Sequence, residues 1–72
     1  MHLLTAPINI PMKIIKIKVD SAQKKRLSGM GLVENGSVSI VSESSGNLIV
    51  NVKDIRIGIG KEIAQKIVVV PE

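Results

Sequence analysis

The sequence predicts an all-β domain with one short inserted helix, folded as a small, partly open β-barrel of about five strands. Hydrophobic residues make up 44% of the chain, and all are Ile, Val, Leu, Ala or Met, a mixture rich in β-branched residues that favours strands. They occur in short runs separated by turn residues such as Asn-Gly and Ser-Gly. The length of 72 residues predicts a single domain, residues 1–72, near the lower limit for an unaided fold.

The first strand is predicted over residues 11–19, PMKIIKIKV. Ile15 and Ile17 alternate with lysines, whereas Met12 and Ile14 lie in the opposite phase. This change of phase predicts either a bulge or a strand whose first half is covered on its other face.

The inserted helix is predicted over residues 22–30, AQKKRLSGM. Asp20 or Ser21 precedes it and can cap its N-terminus. Gly31 follows it, where a left-handed residue commonly ends a helix. The helix is therefore expected to be short, with a defined start and stop.

Three strands follow, and their alternating apolar residues determine which side chains face inward. For Ile40 to face Val50, the first hairpin needs the three-residue loop 44–46, with Gly46 in its left-handed third position. The inward-facing residues on the three strands are expected to be Val38 and Ile40, then Leu48, Val50 and Val52, then Ile55, Ile57 and Ile59.

The second hairpin and the C-terminal part complete the barrel. Pairing Val52 with Ile55 requires a two-residue turn at residues 53–54. A helical turn is then predicted at residues 61–65, followed by a last buried strand at residues 67–70. The resulting core is expected to contain Ile15, Ile17, Val38, Ile40, Val50, Val52, Ile57 and Val69.

Catalysis, resident metal and cofactors are not expected. His2 is the single histidine, and we expect it at a frayed terminus. The absence of cysteine excludes thiolate metal sites and suits a reducing compartment. The six acidic residues are scattered, without the spacing of metal ligands or of paired acid–base carboxylates.

The net charge of +4 favours an acidic partner, a nucleic acid or an anionic membrane surface. Surfaces that bind single-stranded nucleic acid usually stack bases on aromatic rings, which this chain lacks, so no nucleic-acid partner is expected. No apolar run approaches the ~18 residues of a membrane span, and the N-terminus does not resemble a signal peptide. We therefore expect a soluble cytoplasmic binding module, not membrane-inserted, that is a monomer or weak oligomer.

The inserted helix supplies the first candidate binding residues. Lys24, Lys25 and Arg26 can form a cationic patch, although a merely solvated helix face is an equal alternative. Leu27 is expected in the core. Met30 suits the core or a contact surface equally well, because flexible thioethers adapt to partners.

A second candidate surface follows from the predicted strand registers. They place Val41 beside Ile49, and Ile49 beside Gly58, on the sheet face opposite the core. Two aliphatic side chains would then flank a position without a side chain, which forms a notch for a partner. Alternatively, Gly58 only lets its strand bend, and the inserted helix covers Val41 and Ile49.

Two stretches, RLSGMGLVENGSVSIV and NLIVNVKDIRIGIGKEIAQKIVV, make this chain similar to the ferrous iron transport protein A (FeoA) family. The Arg-Leu-x-x-Met-Gly-Leu segment is the most specific part. The resemblance covers nearly the whole chain and implies an SH3-like barrel with an inserted helix. It also implies a small cytoplasmic partner of the membrane ferrous-iron transporter that carries a G-protein domain. A similar domain closes some iron-dependent repressors, so a generic interaction or regulatory domain is the alternative.

The chain departs from the family pattern mainly at turns. Glu34-Asn35 replaces a common Pro-Gly, and Asp54 and Asn9 each replace a glycine. Asn and Asp are the non-glycine residues best tolerated with left-handed backbone angles. We therefore expect the family's turns to be preserved here.

Overall fold

The computed structural model describes all 72 residues and confirms a mostly β fold with a short inserted helix. Five antiparallel strands form one sheet in the order β4-β3-β2-β1-β5. The outermost strands, β4 and β5, are not paired with each other, so the barrel is open. The elements are β1 (Met12–Ile17), α1 (Ser21–Gly29), β2 (Ser37–Ser44), β3 (Asn47–Val52), β4 (Ile55–Gly60), α2 (Lys61–Ala64) and β5 (Ile67–Pro71).

Strand β1 contains the bulge that its change of phase indicated. Met12 and Ile14 are buried, the register against β5 shifts between Ile14 and Lys16, and Ile17 is again buried. The prediction of Ile15 in the core is wrong, because its side chain is 46% exposed. The bulge inserts one residue into the strand, and Ile15 is the residue left outside the ladder.

Helix α1 has the predicted start and stop. The Asp20 carboxylate caps its N-terminus by accepting a hydrogen bond from the backbone N–H of Gln23 at 2.8 Å. Gly31 follows the helix with a φ of +93°, the left-handed conformation expected there. Leu27 is the only buried residue of α1, so a single side chain anchors the helix to the core.

The first hairpin pairs Ile40 with Val50, as predicted. The predicted three-residue loop is wrong. The turn consists of residues 45–46, whose φ values of 50° and 83° are typical of a type I′ turn. The additional residue is Val41 in β2, since the register shifts between Ile40 and Ser42. A bulge in the strand thus has the same effect on register as the longer loop.

The second hairpin confirms the pairing of Val52 with Ile55 and the two-residue turn. Lys53 and Asp54 have φ values of 51° and 65°, again typical of type I′. Ile55 lies opposite the buried Val52 and therefore on the inward face, as predicted, but it is 62% exposed because it begins an outermost strand. Ile57 is only partly buried and packs against the core.

The N-terminus is held against strand β5, so the expectation of a frayed terminus at His2 is wrong. The Val69 N–H donates to the Met1 carbonyl at 2.7 Å, and the Met1 ammonium donates to the Val69 carbonyl at 3.0 Å. His2 forms an isolated bridge with Val68, and Leu3 is fully buried in a single 3-10 turn. The first residues therefore cover the outer edge of β5.

The three turn positions where Asn or Asp stands in place of a family glycine all have left-handed backbone angles. Asn9, Asn35 and Asp54 have φ values of 65°, 70° and 65°. The left-handed angles expected at these turns are confirmed.

The core is entirely aliphatic, and no polar or charged residue is buried. Six of the eight residues predicted for it are buried, namely Ile17, Val38, Ile40, Val50, Val52 and Val69. The other buried residues are Leu3, Ala6, Met12, Ile14, Leu27, Leu32, Leu48, Ile59, Ala64 and Ile67. Neither helix has the length and hydrophobicity of a membrane-spanning segment.

Candidate functional site

A cavity of about 210 Å³ lies between helix α1 and the end of strand β4, and we call it the α1–β4 cavity. Three of the predicted binding residues, Arg26, Met30 and Gly58, line it together. The full lining consists of Gln23, Arg26, Leu27, Met30, Gly58, Ile59, Gly60 and Ile63. The structure therefore brings a helix residue of each predicted type, cationic and apolar, next to the predicted notch at Gly58.

Two glycines of β4, Gly58 and Gly60, line this cavity. A Cβ on Gly58 would meet only Ile49 Cδ1, at 3.8 Å, and a Cβ on Gly60 would meet only Asn47 Oδ1, at 3.8 Å. Both distances are ordinary van der Waals contacts, and neither glycine has a positive φ. Packing and backbone conformation therefore do not require glycine at these two positions. Of the three β4 residues that line the cavity, only Ile59 carries a side chain.

Apolar side chains form half of the cavity lining, with the polar Gln23 and the cation Arg26 on the α1 side. Leu27 is buried, Ile63 is partly buried against the core, and Met30 is 39% exposed. Arg26 is exposed, and no carboxylate lines the cavity. Such a site can accommodate an apolar side chain next to a negatively charged group.

The predicted cationic patch is divided between two sides of helix α1. Lys24 and Lys25 line a separate depression that also includes Glu34, whereas Arg26 lines the α1–β4 cavity. The Lys24 ammonium donates to the Glu34 carboxylate at 3.3 Å. This hydrogen bond, together with the charge of Lys24, lowers the pKa of Glu34. Lys24 thus links α1 to the loop before β2, which leaves Lys25 as the unpaired cation on that side.

The predicted notch on the outer face is confirmed in part. Ile49 pairs with Gly58, as expected. The predicted pairing of Val41 with Ile49 is wrong, because Val41 is the bulge residue and Ser42 pairs with Ile49 instead. Val41 and Ile49 are both partly exposed. Gly58 itself is exposed, so the notch is open at this point, and its role in binding stays a prediction.

Gly60 and Ile63 line the cavity but were not predicted from the sequence as site residues. Gly60 lies two residues after Gly58 on the same face of β4, so strand periodicity could have indicated it. Ile63 lies in α2, whose position depends on packing between elements that are distant in the sequence. No local sequence pattern therefore indicates that Ile63 lies at the cavity.

No three or more His, Asp or Glu side chains lie close enough together to hold a metal ion. The expectation that the protein carries no resident metal or cofactor stays a prediction.

Comparisons with known proteins give a consistent result. The model of the FeoA domain family matches residues 1–71. Iron(II) transport protein A from Clostridium thermocellum has a TM-score of 0.91 and 23% identity, covering 99% of this chain and 45% of that chain. FeoA from Stenotrophomonas maltophilia, an SH3 domain protein complexed with zinc, has a TM-score of 0.77 and 21% identity, covering 96% and 88%.

A manganese-dependent transcriptional repressor has a TM-score of 0.88 and 16% identity, covering 100% of this chain and 41% of that chain. This chain therefore spans less than half the length of the Clostridium protein and of the repressor. No curated protein sequence matches it. At these identities, the structural similarity shows the SH3-like fold.

Proposed function

The chain belongs to the FeoA domain family, whose model matches residues 1–71, and from this membership we propose that it is a non-catalytic accessory protein of ferrous iron uptake. It docks on the cytoplasmic part of the membrane iron transporter that carries a G-protein domain, and supports or regulates that transporter. The family match over nearly the whole chain is the observation that carries this proposal. The Stenotrophomonas FeoA, put forward as a bacterial ferrous iron transport activating factor, supports it.

The α1–β4 cavity is the docking site in this proposal. It combines an apolar wall formed by Leu27 and Met30 with the cationic Arg26, and its β4 side is free of side chains at Gly58. Interfaces commonly anchor one buried apolar side chain beside a charge pair, and Met and Arg are enriched in them. The cavity offers contact chemistry of this kind.

Docking regulates the transporter if the protein binds one conformation of the G-protein domain more tightly than another. A partner shifts a conformational equilibrium only by its difference in affinity for the two states. The measurable consequence is a nucleotide-dependent affinity. Equal affinity for the GTP-bound and GDP-bound domain would leave assembly or stabilisation as the role.

Calorimetry with the cytoplasmic domain of the transporter tests the proposal directly. We expect Arg26→Gln to weaken binding by about tenfold, the loss typical of a charge-assisted hydrogen bond. The matched control is Lys25→Gln, which removes the neighbouring cation on the other side of α1 and should leave the affinity nearly unchanged. No binding by the folded wild-type chain at concentrations up to about 1 mM would rule out direct docking.

A second candidate function is a generic interaction or regulatory domain of the repressor type. The TM-score of 0.88 with the manganese-dependent transcriptional repressor favours it. A strain that lacks the protein distinguishes the two functions. Reduced ferrous iron uptake at unchanged transporter abundance supports the accessory role, whereas altered transcription with normal uptake per transporter supports the regulatory role.

A further inference from the structure

The sheet has two terminal strands, and only one of them has a paired outer edge. The outer edge of β5 is covered by reciprocal hydrogen bonds between Val69 and Met1, and by the bridge between Val68 and His2. Strand β4 pairs with β3 on one side and with no strand on the other. The outer edge of β4 is therefore the place where another strand can join the sheet.

The strand register identifies the backbone groups at this edge. In a type I′ turn, the Val52 carbonyl accepts from the Ile55 N–H, so Val52 and Ile55 form a hydrogen-bonded pair. Such pairs alternate along an antiparallel ladder, so the backbone groups of Ile57 also point towards β3, whereas those of Arg56 and Gly58 point away. Arg56 and Gly58 make no backbone hydrogen bond outside the strand ladders. The backbone N–H and C=O groups of Arg56, and those of Gly58 about 7 Å further along, thus lie on the free edge.

Strand β4 lacks most of the features with which proteins usually protect an edge, and Arg56 is its one charged residue. Its six residues, Ile55–Gly60, pair with β3 in unbroken register and include no proline, lysine or bulge. By contrast, β1 and β2 contain bulges, and β5 ends at Pro71. A weakly protected edge of this kind pairs readily with an incoming strand.

The α1–β4 cavity continues this edge. Gly58, Ile59 and Gly60 form its β4 side, and Leu27 and Met30 lie on its α1 side. A strand that pairs with Arg56 and Gly58 would extend into the space between β4 and α1. The cavity volume of about 210 Å³ exceeds the ~150 Å³ of an engineered cavity that binds benzene, so one large apolar side chain fits.

Charge indicates what kind of strand binds. Arg56 lies on the edge and Arg26 lines the cavity, and neither forms an ion pair, since Lys24–Glu34 is the only salt bridge. The chain carries a net charge of +4, so a second copy would bring like charges together. Carboxylates on an incoming strand would instead pair with both arginines.

We propose that the free edge of β4 binds an extended acidic segment of a partner protein by strand addition. One apolar side chain of that segment enters the α1–β4 cavity, and its carboxylates pair with Arg26 and Arg56. Main-chain hydrogen bonds supply affinity, while the cavity and the arginines supply specificity. The inference names the binding mode of the proposed docking site and rests on the proposed function only for the identity of the partner.

A synthetic strand tests this mode without the transporter. The probe is an end-blocked octapeptide of alternating Val and Glu, titrated into the isotope-labelled full chain and followed by NMR. We expect shifted and exchange-protected amides at Arg56 and Gly58. A Val-Lys octapeptide and the fully N-methylated Val-Glu octapeptide should each bind at least about tenfold more weakly. Equal affinity for all three peptides, or shifts confined to other faces, would overturn the proposal.

Two substitutions at one position separate the backbone contribution from the side-chain contribution. Gly58→Pro removes an N–H that points away from β3, a position where an edge strand tolerates proline. It should weaken Val-Glu binding by about tenfold or more. The control Gly58→Ala keeps the N–H, and its Cβ fits, with Ile49 Cδ1 at 3.8 Å. Equal binding by the two variants, both folded, would contradict strand addition.

The outcomes distinguish the binding mode from the proposed function. If the octapeptide binds as expected and the cytoplasmic domain of the transporter does not bind the wild-type chain, strand addition stands and the proposed function fails. If the transporter domain binds the wild-type chain and Gly58→Pro equally, the proposed function stands and strand addition fails. Concentration-dependent self-association that Gly58→Pro abolishes would assign the edge to a second copy and overturn the acidic partner.

Discussion

Gly31 lies so close to Val52 that a Cβ on Gly31 would stand 2.9 Å from Val52 Cγ1. The glycine ends helix α1, and the valine ends strand β3. The φ of +93° at Gly31 is also unfavourable for any residue with a side chain. The chain just after the inserted helix thus lies close against the barrel, and glycine is required there for both steric and conformational reasons.

Replacing this glycine should destabilise the fold. We expect Gly31→Ala to lower the free energy of unfolding by about 2–4 kcal/mol, because overpacking adds to the cost of a left-handed backbone. Urea denaturation measures the change. The control is Gly29→Ala, where a Cβ meets nothing within 4 Å, and the gain in helix propensity should stabilise by about 0.5–1 kcal/mol. Equal changes in unfolding free energy at the two positions would contradict the requirement for glycine at Gly31.

Leu27 should determine whether helix α1 stays attached. It is the only buried residue of the helix, so Leu27→Ala removes the one side chain that α1 contributes to the core. We expect a loss of about 2–4 kcal/mol in unfolding free energy, within the range for buried leucine truncation, and faster amide exchange throughout α1. Met30→Ala, at a residue 39% exposed, should cost about 1 kcal/mol or less. Unchanged exchange in α1 of Leu27→Ala would show that other contacts hold the helix.

The ion pair between Lys24 and Glu34 makes part of the stability dependent on pH. The hydrogen bond and charge of Lys24 lower the pKa of Glu34 in the folded chain. A lowered carboxyl pKa stabilises the fold above the unfolded value of about 4.3, and this contribution is lost as the pH falls through the folded pKa.

The difference in unfolding free energy between wild type and Glu34→Gln should therefore be constant above about pH 5 and shrink below about pH 4.3. Urea denaturation across this range measures it, and high salt should reduce the difference because the pair is exposed. Lys24→Gln should reduce the dependence, because Lys24 is the main cause of the lowered Glu34 pKa. A difference in unfolding free energy that grows as the pH falls would contradict a lowered pKa of Glu34.

Binding to nucleic acid should be weak and sensitive to salt. The chain has a net charge of +4 and no aromatic residue, so phosphate contacts alone are available. A salt titration with single-stranded RNA should show binding that disappears near physiological ionic strength. Tight binding that survives there would place nucleic acid above protein as the partner.

The isolated chain should not bind ferrous iron tightly. Ferrous sites require clustered histidines and carboxylates, and His2 is the single histidine. Anaerobic calorimetry should show no stoichiometric site of micromolar affinity. Such a site would refute the prediction that the protein holds no metal of its own.

The two bulges show how far strand register could be predicted from the sequence. In β1, the phase change between Ile14 and Ile17 indicated a bulge, but not that Ile15 would be the exposed residue. In β2, a longer loop and a bulge at Val41 both add one residue, so both place Ile40 opposite Val50. The two-residue turn matches the twist of the strands better. The backbone energy of the turn therefore favours the bulge over the longer loop, a choice that the alternation of apolar residues leaves open.

The candidate site was predictable in its components but not in its arrangement. Gly58 and Met30 were identified individually, and the structure places them in one cavity. Lys24, Lys25 and Arg26 were expected to act together, but residues one and two apart on a helix do not face each other. The space between α1 and β4 depends on tertiary packing, which no local pattern encodes.

The purely aliphatic core has a practical consequence for optical studies of complexes. Because the chain contains no tyrosine, tryptophan or phenylalanine, it contributes no aromatic absorbance or fluorescence. A tryptophan placed in any partner segment would therefore be the sole emitter in the mixture. If such a tryptophan enters the α1–β4 cavity, its emission should shift to the blue as water is excluded, and complex formation can be followed without labelling this protein.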